Sequence, residues 1–317
     1  MVIILSRFSI FYESQLLRTQ FGFRSNTGCN DAIYVIKQIQ EIAYRSNRKL
    51  YTCFIDLTAA FDHLQIVLKD VKHRLRGIYD DFESGYADDF AVSSWSQEEL
   101  QTIVNILNEV CLEFGLRISA PKRETIIWNW KEEVEEYPRC IIQIGGVHIN
   151  NVTHFRYLGV WATYNDVHIG DQEVKYRINS AKGAFTDNRA LLTNRTILLQ
   201  TRMMFLNGLV RSRLTYGCHA WRATGSEMSK LSTTYKTFLR RMLVSGFQRV
   251  CPPNHVDISS DEETDENYID WRYVIDNDDL YKITGCQPLE EYVYKQQFNW
   301  IGHRGFFFAI IAIFDQV

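Results

Sequence analysis

The chain has 317 residues, 46% of them hydrophobic and 14% aromatic, with 23% charged, 17 Gly and only 5 Pro. This composition excludes a disordered or collagen-like polypeptide and supplies apolar side chains for a core shared by two or three modules. The formal net charge of −3 excludes binding of nucleic acid through an overall positive charge, but leaves room for a local basic module.

The opening run Val2-Ile3-Ile4-Leu5 is short and is followed by Arg7 and Glu13, too little for a secretory leader. Phe8 to Arg18 mixes apolar and polar residues at helical spacing and leads into Gln20-Phe21-Gly22-Phe23-Arg24. Ala32, Ile36, Ile39 and Ala43 share one face of a helix expected over Asp31–Tyr44, ended by Asn47-Arg48-Lys49. Tyr51 to Ile55 reads as a strand with Asp56 at its end and Phe61 five residues beyond.

At Tyr86-Ala87-Asp88-Asp89-Phe90 two adjacent carboxylates interrupt an apolar, strand-prone run. The pattern predicts two strand ends joined by a tight turn with the acids at its tip. Adjacent anions in an apolar hairpin repel and lose hydration, so a cation between them favours their retention, and hard oxygen ligands suit Mg²⁺. A plain water-exposed Asp-Asp turn fits the same residues. If the strand ending at Asp56 pairs beside this hairpin, Asp56 and Asp88 share two metal ions. That arrangement activates a hydroxyl and stabilises the leaving oxygen of an in-line phosphoryl displacement.

Ser96-Gln97-Glu98-Glu99 is a capping-box pattern. The stripe Leu100, Ile103, Val104, Leu107, Val110, Cys111 and Phe114, closed by Gly115, then predicts a helix packed on a sheet. Gly115-Leu116-Arg117-Ile118 precedes Lys122, Thr125 to Trp130 reads as a strand, and Ile141 to Ile149 as a hairpin around Gly145-Gly146. Phe155-Arg156-Tyr157-Leu158-Gly159 has the form of an edge strand with a glycine bulge.

From Asp171 to Leu243 the pattern is helical, with Val174, Ala181, Phe185, Leu231, Tyr235 and Leu239 among the apolar positions. Between Ala181 and Arg249 the basic residues are Lys182, Arg189, Arg195, Arg202, Arg211, Arg213, Arg222, Lys230, Lys236, Arg240, Arg241 and Arg249. Only Asp187 and Glu227 oppose these twelve, a net of +10. Such a segment suits contact with phosphates, or a helical region with solvated arginine faces. Pro252-Pro253 marks a boundary, and Ser259 to Glu266 is an acidic linker. Trp271 to His303 is aromatic-rich, and the apolar Phe306–Phe314 is too short to span a bilayer. Seven scattered cysteines without a C-x-x-C pair argue for reduced thiols in an intracellular protein, nuclear or cytoplasmic, and not secreted.

Four of these landmarks, taken in order, resemble the reverse transcriptase of non-LTR (LINE-type) retrotransposons. They are Gln20 to Arg24, Phe54-Ile55-Asp56 through Ala60-Phe61-Asp62, Tyr86-Ala87-Asp88-Asp89, and Phe155 to Gly159. The resemblance implies an α+β fold, an incomplete right hand. Residues 1–50 would be a fingers remnant, 51–165 an antiparallel palm sheet with flanking helices, 166–250 a helical basic thumb, and 251–317 a linker and C-terminal appendage. It implies RNA-directed DNA polymerisation, with Asp56, Asp88 and Asp89 as ligands of two Mg²⁺ ions and Lys122 as the acid that protonates departing pyrophosphate. Phe61 would gate the sugar of the incoming nucleotide, and Arg24 and Tyr86 would lie beside that nucleotide. Leu158 and Gly159 would grip the primer, and Arg240 and Arg241 would contact nucleic-acid phosphates. The implied partners are an RNA template, a DNA primer or target, and dNTPs, with no membrane. One departure is large: the family's Gly-Gln-rich loop and helix have no counterpart in the short Leu64–Gly85 interval. A missing exon or an internal deletion accounts for this equally. The alternative to an active polymerase is therefore a catalytically inactive nucleic-acid-binding remnant of the same element.

Overall fold

The computed structural model describes residues 21–22, 24, 26–58, 64–75, 83–86, 89–119, 124–129, 140–164, 169–244 and 275–303. The chain divides into two units: Met1–Gly170 together with Ala220–Arg222, and Asp171–His219 together with Ala223–Val317. Helices and strands segregate along the chain, an α+β arrangement.

In the first unit α1 (Cys29–Arg45) precedes β1 (Leu50–Thr58), α2 (Leu64–Arg74), β2 (Glu83–Tyr86), β3 (Asp89–Ser94) and α3 (Gln97–Glu113). Short strands follow: β4 (Arg117–Ile118), β5 (Glu124–Trp128), β6 (Gln143–Ile144), β7 (Val147–His148), β8 (Asn150–Asn151), β9 (His154–Tyr157) and β10 (Val160–Thr163). The main sheet runs β2-β3-β1-β5-β8, with β4 beside the end of β1. Its pairs are antiparallel except β5 with β8, so the expected antiparallel palm sheet is in fact mixed. The β6–β7 hairpin intervenes and returns the chain to the edge in the direction of β5.

Strand alternation divides this sheet into two faces. Cys53, Ile55, Phe90, Val92 and Ile127 turn to one side, where they form a single buried cluster with α2 and α3. Burying each large apolar side chain stabilises the fold by about 1.5–3 kcal/mol, so this face dominates the unit's core. The α3 stripe expected from the sequence is buried from Leu100 to Cys111. Ser96 Oγ accepts from the Glu99 amide at 3.1 Å, and Gly115, with φ +72°, follows the helix's end. Only half of the capping box forms, because the Glu99 carboxylate accepts from Ser94 Oγ at 2.5 Å instead. Among the described residues of the short interval before β2 stands one helix, α2. It buries Val67 and Val71 in the core, and Arg74 forms a two-pronged ion pair with Glu113 at 3.0 and 2.6 Å.

The second unit is helical among its described residues. It comprises α4 (Asp171–Asp187), α5 (Arg189–Leu192) and α6 (Leu199–Phe205), which runs through a π-helical turn, Leu206–Arg211, into α7 (Ser212–Leu214). Then come α8 (Gly225–Val244), α9 (Asn277–Thr284) and α10 (Leu289–His303). Val174, Ala181, Phe185, Leu231, Tyr235 and Phe238 are buried, with the Phe185 and Phe238 rings stacked at 5.1 Å. Buried Arg202 donates to three carbonyls, those of Ile197, Leu192 and Met242. Among the described residues, no helix is long and apolar enough to cross a membrane.

Candidate functional site

The opposite face of the main sheet carries Phe54 and Asp56 of β1, Asp89 of β3 and Glu124 of β5. The register sets Asp56 directly across from Asp89, and Phe54 across from both Ala91 and Glu124. Residues directly opposite share a face, with Cβ atoms about 5 Å apart. Asp56 is buried and Asp89 half-buried. Like charges set directly opposite weaken a strand pair, so this register calls for positive charge beside it.

These side chains line a cleft of about 480 Å³ whose other wall is Phe155, Arg156, Tyr157, Leu158 and Gly159. β9 and β10 form a hairpin with a two-residue turn at Leu158-Gly159, in which Tyr157 pairs with Val160. Both turn residues have positive φ, +45° and +84°, the backbone of the tightest hairpin connection. The bulged edge strand read from the sequence is therefore a hairpin. It lies against β1 through the Phe54 and Phe155 rings, stacked at 3.8 Å and 13°, and Tyr157 leans on Phe54 from 5.8 Å. Behind Phe54 a buried polar chain ties three strands together: Trp128 Nε1 donates to Thr52 Oγ1 at 2.6 Å, and Thr52 shares a 2.7 Å bond with Ser93 Oγ.

The structure thus brings Asp56, Asp89, Leu158 and Gly159 into one cleft. Tyr86 pairs with Asp89 across β2 and β3, and the Phe21 amide donates to the Gly85 carbonyl at 2.8 Å, which holds Phe21 against β2 one residue before Tyr86. Arg24 is half-buried in the loop before α1, where its carbonyl accepts from Thr27. Asp88, Phe61 and Lys122 lie outside the described residues. Arg240 and Arg241 belong to α8 in the second unit. There Arg240 donates to the Ile275 carbonyl and to Asn277 Oδ1, while Arg241 is exposed.

Other members of the basic segment are also engaged within the protein. Arg202 holds carbonyls, the Arg211 guanidinium lies 4.0 Å over the Tyr292 ring, Arg222 pairs with Glu41 and Lys230 pairs with Asp171 at 2.7 Å. The Lys230 ammonium bonded to Asp171 holds that carboxyl below its usual range. Lys182, Arg189, Arg195, Arg213 and Arg241 are exposed. Arginine in a sequence reports charge but not whether a carbonyl or a ring has already claimed it.

Glu124 was not singled out by its sequence. Burial raises its carboxyl above the usual range, against the opposing pull of His154. Only the β1–β5 register, which sets it beside Phe54 and two positions from Asp56, could have marked it. Among the described residues, no group of three or more His, Cys, Asp and Glu side chains suits a metal ion. Asp56 and Asp89 do supply two hard oxygen donors from opposed strands, the ligand chemistry that Mg²⁺ takes. No known protein-family pattern and no curated protein matches this chain.

Proposed function

We propose that the chain is the reverse transcriptase part of a non-LTR retrotransposon, an incomplete right-hand polymerase that extends a DNA primer on an RNA template. The observation that carries this reading is the register that opposes Asp56 to Asp89 at the mouth of a cleft walled by the Leu158-Gly159 turn. Fold stability gives no reason to keep two carboxylates in that relation, whereas binding of divalent cation and phosphate does.

In this reading Asp56, Asp89 and Asp88 hold two Mg²⁺ ions, which when bound supply the charge that lowers the barrier to in-line displacement at the α-phosphorus. The chain's own part is positioning. The turn at Leu158-Gly159 offers backbone, without bulky side chains at Gly159, against which a primer end can lie. Arg156 in the cleft lining is a cation for a phosphate, Phe61 takes the role of sugar gate, Tyr86 and Arg24 serve the incoming nucleotide or template, and Lys122 is the proton donor to pyrophosphate. Arg241 and the exposed basic residues of the second unit contact phosphates, with Arg240 at the edge of that set.

A second reading has its own observation. Where the family has a loop and helices that orient the nucleotide, the only described element is the eleven-residue α2. A chain so shortened keeps nucleic-acid binding and loses most of its catalysis. Primer extension on an RNA template with Mg²⁺, comparing the parent with Asp56→Asn and Asp88→Asn, separates the two. The polymerase reading expects weak extension by the parent, loss in both variants, and primer–template binding that all three share and that weakens as salt rises. Binding without extension by the parent leaves the inactive remnant. Extension that survives Asp56→Asn sinks the carboxylate assignment, and absence of salt-dependent binding sinks both readings.

A further inference from the structure

Ala220–Arg222 is a short return of the chain into the first unit, flanked on both sides by residues of the second. Ala220 is buried with Ile33 of α1 and Val160 of β10, and Leu158 packs against the same cluster. Arg222 closes the return. It forms an ion pair with Glu41 of α1 at 2.6 Å, and Glu41 also receives Arg45, one turn along, at 2.5 Å. The Glu41 side chain is only 10% exposed, so its carboxylate needs cations, and Arg222 supplies one from far along the sequence. Two turns on from Ile33, α1 holds the same hairpin through Gln40, whose Nε2 donates to the Thr163 carbonyl at 2.6 Å.

We propose that this strap, locked by Arg222 on Glu41, is what positions the Leu158-Gly159 turn at the cleft. Leu158 sits in the left-handed region at φ +45°, a backbone state that a leucine does not hold unaided. The turn therefore needs support from outside its own hairpin. The Ala220 cluster and the α1 anchor supply that support through Val160, on the hairpin face that also carries Phe155 and Tyr157. That the turn holds a primer end rests on the polymerase reading; that the strap holds the turn does not. Glu41 and Arg222 are positioning residues, acting on the cleft through Leu158.

Backbone hydrogen exchange followed by mass spectrometry tests the strap in the full chain, with Arg222→Lys and Arg222→Glu beside the parent. Arg222→Glu sets two carboxylates together and is expected to speed exchange across 154–163 on the order of five-fold or more, with α3 and β1 unchanged. Arg222→Lys keeps the ion pair and is expected to stay within about two-fold of the parent. Hairpin amides that keep the parent rate while those of Ala220–Arg222 accelerate would overturn the proposal. Should Arg222→Glu loosen the whole unit, Arg222→Gln removes the charge without repulsion and decides by the same comparison. In primer extension, the strap predicts a higher KM for primer–template in Arg222→Glu with kcat little changed. No extension by the parent counts against the polymerase reading alone and leaves the exchange result standing.

Discussion

Leu158 combines two opposed contributions to stability. Its side chain is half-buried against the Ile33–Val160–Ala220 cluster, which favours leucine, while its φ of +45° favours glycine or asparagine. The left-handed backbone costs a non-glycine residue about 1–2 kcal/mol, close to what a half-buried leucine contributes by burial. Leu158→Gly is therefore expected to change stability by less than about 1 kcal/mol in urea unfolding. Ile33→Ala, in the same cluster but in an unstrained helix, is expected to cost about 2–4 kcal/mol. Equal losses in the two variants would show that the turn carries no backbone strain. Asp56 and Asp89 were visible in the sequence as acids at strand ends, because charge inside an apolar run is a local signal. Their pairing was not, since a shift of one residue in register sends every side chain to the other face. Glu124 and the Phe54–Phe155 stack depend on the same non-local register and were missed with it.

Helices declared themselves where period and caps agreed. α1 and α3 formed where a 3.6-residue stripe met a terminating signal, Asn47 or Gly115, both at positive φ. The cap of α3 rests on one bond from Ser96, because Glu99 is drawn off to Ser94. Ser96→Ala is accordingly expected to cost about 1 kcal/mol and to lower the denaturant midpoint without changing the slope. A loss well below that would mean that Ser94 and Glu99 cap the helix without it. The short strands were less legible. β6 and β7 were marked by Gly145-Gly146, both at positive φ, but β9 and β10 turn on a Leu-Gly pair that carries no strong turn signal. A second capping box, in which the Thr224 amide donates to the Glu227 carboxylate at 2.7 Å and Thr224 Oγ1 accepts from the Glu227 amide at 3.2 Å, starts α8 and went unread. The cue, Thr224 three residues before Glu227, was present.

Across the molecule, none of the six described cysteines lies in a disulfide. Burial pushes Cys111 and Cys140 up to about 11 and Cys218 up to about 12, against an ordinary 9.0. A thiol reacts as its thiolate, so these three are expected to resist iodoacetamide at pH 8 in the native protein. Half-buried Cys29 and Cys286 label first, and all react once the chain is unfolded in denaturant. Rapid native labelling of Cys218 would contradict its burial. The sign of the pH effect follows from the direction of the shifts. A folded value above the unfolded one favours the folded state below about pH 9, and that contribution is lost as pH rises toward 11 to 12.

Local chemistry was enough to establish where the longer helices α1 and α3 and the strand ending at Asp56 form, where an acid interrupts an apolar run, and where basic residues gather. Each of these depends on neighbours a few positions away. Two things came only from the folded chain. The first was which acids face one another, set by strand register between segments tens of residues apart. The second was which arginines are already committed to a carbonyl, a ring or a carboxylate, as with Arg202, Arg211 and Arg222. Both depend on distances through space, which composition and periodicity do not encode.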